Sequence, residues 1–308
     1  MIDPPEQFRQ AIESAGLTPP DVIHDDGAIH RFSTNGHRGD DSGWYSLHSD
    51  GIAAGAFGCW REGLQSTWCA KSDTAMTAVE LGIHLTRIKA IQVQREAEKV
   101  RRQQSAATEA ARRVRATTNC TQHAYLTTKA VKPHGVKIEG DNLLIPMIDT
   151  TGKVQSLQSI TPNGDKRFLS GGRVKGCYHA IGKTAGLLII CEGYATGASI
   201  HEATGHAVAV AFNAGNLESV AVALRTKYPH LKIIIAGDDD HMTEGNPGLR
   251  KSRAAAQAVG ALVVVPSFPE ARPDNATDFN DLHQLAGAGA VKACIDSAIE
   301  SVATCERG

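Results

Sequence analysis

Four short apolar runs, separated by helical patterns, dominate the second half of the 308-residue chain. The runs are LLIIC at 187–191, AVAVAF at 207–212, IIIA at 233–236 and LVVV at 262–265. Strands that helices cover on both faces are apolar throughout, whereas strands with one solvent-exposed face alternate. The order of strands and helices therefore predicts an α/β fold, with a parallel sheet flanked by helices over residues 185–308.

Upstream of this region, three segments differ in pattern. Residues 1–72 show short alternating runs rich in Gly, His and Trp, which predict a small antiparallel β-rich unit. Residues 73–117 contain no proline and carry apolar residues at helical spacing before a charged stretch, which predicts a long helical linker. Residues 118–184 include two strand patterns, NLLIPMID and VQSLQSI, around the turn TTGK, and predict a small α/β subdomain.

The overall charge does not select a partner. A formal net charge of −1 gives no global field, so nucleic-acid binding requires local basic patches. The arginine-rich end of the linker is one such patch, although a solvated connecting helix explains the same pattern. Seven cysteines without a C-x-x-C spacing argue against a disulfide framework and a zinc ribbon. No leader-type segment and no apolar run of about 18 residues occurs, so we expect a cytoplasmic protein without a membrane partner.

Acidic residues follow the predicted strands. Glu192 comes directly after the first apolar run, and Asp238, Asp239 and Asp240 come after the third. Asp278 lies beyond the fourth run, after an intervening loop. Functional residues collect at the carboxyl ends of strands in a parallel α/β sheet. Side chains alternate along an extended segment, so Asp238 and Asp240 can face one way and Asp239 the other. Like charges gathered at one edge cost free energy unless a cation lies among them.

A divalent cation would explain this gathering of carboxylates. Hard cations such as Mg²⁺ bind few protein carboxylates and complete their shell with water and substrate phosphates. The set of Glu192, Asp238, Asp240 and Asp278 meets that requirement, for one ion or for a pair that serves phosphoryl chemistry. Each acid alone has a simpler explanation as a loop charge or a helix cap. Asp278, for example, precedes the helical pattern FNDLHQLA and could cap it.

The same residues resemble a known domain. LLIICEGYATGASI, IIIAGDDD and ATDFNDLH are similar to the TOPRIM domain that bacterial primases, type IA and II topoisomerases and some nucleases share. Its marks are a Glu followed by Gly after the first strand, and a D-x-D after a later strand. The resemblance implies that Glu192 is a general acid/base or a metal ligand, and that Asp238 and Asp240 carry Mg²⁺ or Mn²⁺. It adds Asp278, in a D-x-[ND]-[DE] motif found in primases, as a supporting ligand.

The upstream segments are similar to plasmid-conjugation and phage-type primases. There a small α/β subdomain lies beside TOPRIM and forms the RNA-polymerising groove. The chromosomal primase begins with a zinc ribbon that touches template; the paired cysteines are absent here, so zinc is not expected. Aromatic residues of the β-rich unit could stack on single-stranded bases or form the core of that unit. They are Trp44, Tyr45, Phe57, Trp60 and Trp68.

Basic residues near these motifs could offset phosphate charge. The candidates for nucleotide or nucleic-acid binding are Lys129, Lys166, Arg167, Arg173, Lys175, Arg250 and Lys251. The glycines in GDKRFLSGGRVKG would let the backbone approach phosphates closely. A hairpin turn with solvated charges explains the same segment, and a solvated helix face explains the last two residues.

Together these features predict a TOPRIM primase of plasmid or phage type, which makes short RNA primers on single-stranded DNA from ribonucleoside triphosphates. The 308 residues contain no P-loop, so a helicase would be a separate partner. A TOPRIM nuclease would use the same metals for hydrolysis. A non-catalytic single-stranded-DNA-binding replication protein is a further alternative. A topoisomerase is disfavoured because no large catalytic-tyrosine domain accompanies the motifs.

Overall fold

A computed structural model describes residues 3–71 and 77–305. The chain divides into two compact units, Met1–Val100 and Arg101–Gly308, and the division falls within a long helix, α2 (Ala78–Ala116). The boundary predicted at residue 72 lies outside the described residues, and the division into four segments stays a prediction. Among the described helices, none combines the length and the apolar character that a membrane span requires.

The first unit is a four-stranded antiparallel sheet with α1 packed on it, and it also includes α2 as far as Val100. Its elements are α1 (Pro4–Ser14), β1 (His30–Phe32), β2 (Gly43–His48), β3 (Ala54–Cys59) and β4 (Leu64–Cys69), paired in the order β1-β2-β3-β4. Phe8 and Ile12, one helical turn apart on α1, are fully buried against Tyr45 and Phe57 of the sheet. The β-rich pattern of this segment therefore forms a small core of its own.

The second unit begins with an antiparallel sheet. Its strands are β5 (Thr118–Asn119), β6 (Lys137–Glu139), β7 (Asn142–Ile148), β8 (Val154–Ile160) and β9 (Lys166–Phe168), paired in chain order, with the short helix α3 (Ala124–Thr128) after β5. Both faces of β7 are covered, because Leu143 and Ile145 join the main core while Leu144 packs with Ala110 of α2. In contrast, all three residues of the edge strand β9 are exposed.

A mostly parallel sheet follows. Its strands are β10 (His179–Ile181), β11 (Leu187–Cys191), β12 (Ala207–Val210), β13 (Lys232–Ala236) and β14 (Leu262–Val264), in the order β10-β12-β11-β13-β14. The last four strands are mutually parallel, as the apolar runs predicted. The edge strand β10 pairs antiparallel with β12 and was not among the predicted strands.

Helices cover both faces of this sheet. They are α4 (Tyr194–Thr204), α5 (Leu217–Lys227), α6 (Pro247–Val259) and α7 (Phe279–Cys305), the last with a break at Gly287. Residues of α4 and α7 share one core cluster, and residues of α5 and α6 share the other. The predicted fold class, a parallel sheet flanked by helices with a smaller unit upstream, is confirmed. The strand order also makes β11 and β13 neighbours, so that their carboxyl ends meet at one edge.

Candidate active site

Glu192 and Asp238 lie at neighbouring strand ends. Cys191, the last residue of β11, is opposite Ala236, the last residue of β13, so Glu192 and Asp238 follow the two strands within two residues. Partial burial raises the pKa of Glu192, and the charges of Asp240 and Asp278 raise it further. A backbone hydrogen bond from Ala214 and the charge of Lys166 oppose this rise in pKa. The sheet thus brings together acids that are 46 positions apart in the sequence.

Asp238 is the most electrostatically unfavourable of these acids. Desolvation raises the pKa of Asp238 well above its ordinary value, and the charges of Asp278, Glu192 and Asp240 add to the effect. Its Oδ1 atom is buried and makes no hydrogen bond to any residue that the structure describes. A buried carboxylate oxygen without a donor is stabilised only by a positive charge or by protonation.

Asp240 and Asp239 are held by the start of α6. The Oδ2 atom of Asp240 accepts a hydrogen bond from the backbone N–H of Gly248, at 2.8 Å. Gly248 is required at this point, because a Cβ atom there would lie 2.8 Å from both Asp238 O and Asp240 Oδ2. Asn246 caps α6 by accepting from Leu249 N at 3.2 Å, and it accepts from Asp240 N at 3.0 Å as well. The carboxylate of Asp240 is therefore fixed by a helix N-terminus.

Asp239 faces a different set of partners. Arg272 forms an ion pair with its Oδ2 at 2.6 Å, and the side-chain amide of Asn246 donates to its Oδ1 at 2.6 Å. Against the opposing effect of burial, these bonds hold the pKa of Asp239 below its usual value. The alternation along the extended segment accounts for this difference between Asp239 and its two neighbours.

Asp278 is both a helix cap and a member of the acidic group. Its Oδ1 accepts from the backbone N–H groups of Asn280 and Asp281, at 2.8 and 2.9 Å, and so caps α7. Asp281 accepts from Asp278 N at 3.3 Å in return, an arrangement of the capping-box type. The other oxygen, Oδ2, accepts from Thr196 at 2.8 Å. Desolvation and the charge of Asp281 raise the pKa of Asp278, so this residue caps the helix and is also an unfavourably placed carboxylate. Its role as a supporting metal ligand stays a prediction.

Two of the predicted basic residues lie near these acids. Desolvation by the surrounding protein is the main cause that lowers the pKa of Lys166, and the charge of Lys129 lowers it further. Lys166 as a whole residue is nevertheless exposed. The charges of Asp278, Glu192 and Asp238 act on Lys166 in the opposite direction. Lys129 ends α3, and its carbonyl oxygen accepts from the amide of Asn280 at 2.7 Å. The upstream subdomain thus supplies cations to the acidic edge.

The other predicted basic residues have different surroundings. Arg167 follows Lys166 on β9 and is exposed, as is Lys175 in the next loop. Arg173 pairs with Asp149 at 3.4 Å. Arg250 and Lys251 are exposed on α6, in the first turns of the helix that holds Asp240.

Three residues near the acids adopt unusual backbone conformations. Among the described residues other than glycine, positive φ is found at Ala130, Phe212 and Asn246. Ala130 follows Lys129, Phe212 donates its N–H to Glu192 O at 2.7 Å, and Asn246 bonds Asp239 and Asp240. Such conformations cost about 1–3 kcal/mol each and persist where the surrounding structure imposes them, often at functional sites.

The sequence prediction missed several partners of the acids. Thr196, Asn246 and Arg272 each hold an acid in place. The side chain of Asn280, a residue of the predicted primase motif, donates to Lys129 O and to Ser199 instead. Asn followed by Pro is a recognisable helix start, so the cap at Asn246 was detectable. Arg272 lies 33 residues from Asp239, and no local pattern connects the two.

The acidic group suits a hard divalent cation that takes few protein ligands. Within residues 3–71 and 77–305, no three His, Cys, Asp or Glu side chains are close enough to coordinate one ion as they stand. Mg²⁺ is usually bound through one or two carboxylates, with water and substrate phosphates completing its shell. The donor-free Oδ1 of Asp238 and the mutual repulsion of its neighbours fit that mode of binding.

Comparisons with known proteins agree with the motifs. The Toprim domain family matches residues 187–289. Two Escherichia coli proteins, each named DNA primase TraC, are 36% identical over 284 residues and 37% identical over 289 residues. These matches cover 87% and 88% of this chain but 27% and 20% of the relatives, so the chain spans about a quarter of their length. A crystal structure of the Aquifex aeolicus primase (zinc binding and RNA polymerase domains) aligns with a TM-score of 0.45 and 15% identity, over 97% of this chain and 86% of that one.

Proposed function

We propose that the chain is a primase of plasmid or phage type that synthesises short RNA primers on single-stranded DNA. The Toprim match and the similarity to two proteins named DNA primase TraC support this proposal. The chain's partners would be the DNA template, ribonucleoside triphosphates and a replicative helicase. The observation that carries the proposal is that Glu192 and Asp238 follow adjacent strand ends. Asp278, Lys166 and Lys129 are near enough to interact electrostatically with this group.

We assign the acids to the binding of Mg²⁺ or Mn²⁺. Asp238 and Glu192 would bind the ion directly. Asp240, which is fixed by α6, and Asp278, which caps α7, would support it through bound water. When bound, such an ion offsets the negative charge that grows on the phosphate during nucleotidyl transfer. Carboxylates also serve as general bases, so we assign Glu192 a second role as acceptor of the proton of the attacking 3′-hydroxyl.

The basic residues would hold phosphates. Lys166 and Lys129 lie near the acids, which suits contact with the nucleotide triphosphate. The remaining cations, which are exposed or half-buried, would contact the template or primer backbone as a salt-sensitive, sequence-independent surface. They are Arg167, Arg173, Lys175, Arg250 and Lys251.

A single assay separates this proposal from its rivals. The chain is incubated with circular single-stranded DNA, labelled ribonucleotides and either Mg²⁺ or Mn²⁺, and the products are resolved on a gel. New short oligomers establish a primase, shortened DNA establishes a nuclease, and a mobility shift without either establishes a binding protein. The metal assignment is tested in the same assay with Asp238→Asn. We expect no product and unchanged DNA binding, and full activity of this variant would refute the assignment.

A further inference from the structure

Arg272 connects two of the loops that carry the acids of the site. Its guanidinium donates to Asp239 Oδ2 at 2.6 Å, to Asp239 O at 2.8 Å and to Ala276 O at 2.8 Å. Asp239 belongs to the loop after β13, and Ala276 belongs to the loop between β14 and α7. One planar side chain therefore holds two backbone segments at a fixed separation.

Other contacts reinforce this connection. The backbone N–H of Asp239 donates to Thr277 O at 2.8 Å, and Asn246 donates to Asp239 Oδ1 at 2.6 Å. The guanidinium also lies 4.2 Å from the centre of the Phe268 ring. The ion pair is 18% exposed on the Arg272 side and 22% exposed on the Asp239 side, so solvent screens it less than a surface pair. Asp239 is thus fully engaged in holding loops together.

The acids proposed to bind metal are the immediate neighbours of the bonded residues. Asp238 precedes Asp239, and Asp278 follows Thr277. Because like charges repel, ionised Asp238 and Asp278 would push the two loops apart if nothing opposed them. The contacts of Arg272 and Asp239 oppose that separation.

We infer that Arg272 and Asp239 form a clamp that sets the distance between Asp238 and Asp278, and that this clamp is a positioning device for the divalent cation. The inference rests on the proposed function. It gives the middle aspartate of the DDD run a task that its neighbours do not share. Neither clamp residue is a ligand, because Arg272 is itself a cation and its ion pair neutralises the carboxylate of Asp239.

The test is direct binding of Mn²⁺ to the full chain, followed by the electron paramagnetic resonance signal of free Mn²⁺. We expect Arg272→Gln and Asp239→Asn each to weaken the affinity about tenfold, as loss of an outer partner of a metal site commonly does. Arg272→Lys should lie between these variants and the unaltered chain, because an ammonium retains the charge but cannot serve three acceptors in one plane.

The matched control is Arg113→Gln. Arg113 forms a two-pronged pair with Glu139 in the same unit, at 3.0 and 2.5 Å, and Arg113 is 21% exposed there. This variant should bind Mn²⁺ like the unaltered chain. Thermal unfolding of each variant in EDTA identifies any that do not fold, and Arg272→Lys then decides the question.

The outcomes separate the clamp from the function. Affinities within about twofold of the unaltered chain in all three clamp variants overturn the clamp. Failure of the unaltered chain to bind Mn²⁺ overturns the clamp and the metal site together. Weakened Mn²⁺ binding in the variants, with no primer made by the unaltered chain, supports the clamp and refutes only the primase activity.

Discussion

At the scale of single residues, the burial of Asp238 beside other acids suits the proposed binding of a cation but conflicts with the stability of the fold. Its carboxyl group is desolvated, has acidic neighbours and leaves Oδ1 without a donor. A carboxyl whose pKa rises on folding costs the folded state free energy at every pH above its ordinary pKa of about 3.9, and the cost grows up to the raised pKa. The arrangement is therefore selected against by stability alone and is consistent with a binding role.

This conflict predicts that an inactive variant is the more stable one. Asp238→Asn removes the charge at almost constant volume, and we expect its melting temperature at pH 7 in EDTA to rise by about 2–4 °C. The measurement is thermal unfolding of both proteins with EDTA and then with Mn²⁺, which should stabilise only the unaltered chain. Asp274→Asn, an exposed loop change, is the control and should have no effect. A fall in the melting temperature of Asp238→Asn in EDTA would contradict the electrostatic argument.

At the scale of elements, the edge strand β9 presents two different faces. Lys166 and Phe168 share one side of the strand and Arg167 occupies the other, because side chains alternate along it. Lys166 is coupled by charge to Glu192, Asp238 and Asp278, and the ring of Phe168 lies 6.1 Å from that of Phe212. One face of β9 therefore belongs to the acidic site.

The alternation predicts unequal effects for two adjacent cations. Lys166→Gln should raise the KM for ribonucleotides about tenfold, since a hydrogen bond between charged partners contributes about 1.5–3 kcal/mol. Arg167→Gln is the matched neighbour and should leave that KM within about twofold while weakening DNA binding at low salt. Steady-state primer synthesis at varied nucleotide concentration measures both. Equal changes in KM for the two variants would show that the strand faces are not distinguished by the substrate.

Local patterns predicted the strands of the parallel sheet and the acids at their ends, because each of these features depends only on residues that are adjacent in the sequence. Buried runs and a following Glu or Asp suffice to place Glu192 and Asp238 at one edge. The antiparallel strand β10 could not be predicted, since HAI is too short and too polar to stand out from its loop. The ion pair between Arg272 and Asp239 was equally out of reach, because only the folded sheet brings the two loops together.

At the scale of the whole molecule, the aromatic residues of the first unit divide into a buried core and an exposed tryptophan. In the first unit Trp44, Tyr45 and Phe57 are 1–2% exposed, so these aromatic residues form its core. Trp60 is 46% exposed and has the guanidinium groups of Arg31 and Arg95 at 5.8 and 5.7 Å from its ring centre. The core explanation therefore holds for Trp44, Tyr45 and Phe57, while stacking on single-stranded bases stays a prediction for Trp60.

The exposed tryptophan of the first unit and the acidic site of the second predict separable functions for the two units. Trp60→Ala should weaken binding of single-stranded DNA about fivefold, the lower end of the range for loss of one stacked base. The Mn²⁺ affinity of the second unit should be unchanged. Fluorescence anisotropy with a labelled oligonucleotide measures DNA binding, and Val22→Ala, which truncates a side chain that is 62% exposed in the same unit, is the control. Unaltered affinity in Trp60→Ala would remove the first unit's aromatic surface from the DNA-binding account.

Asp278 caps α7 and is also proposed to support a metal ion, and the first of these roles limits which residues can replace it. The carboxylate of Asp278 caps the N-terminus of α7. Asparagine is an equally good capping residue and carries no charge. A lineage released from selection for catalysis could lose Glu192 freely, yet it would still need a capping side chain at position 278 to begin the helix. Copies of the gene that no longer serve catalysis should therefore have lost Glu192 and carry asparagine or serine at position 278.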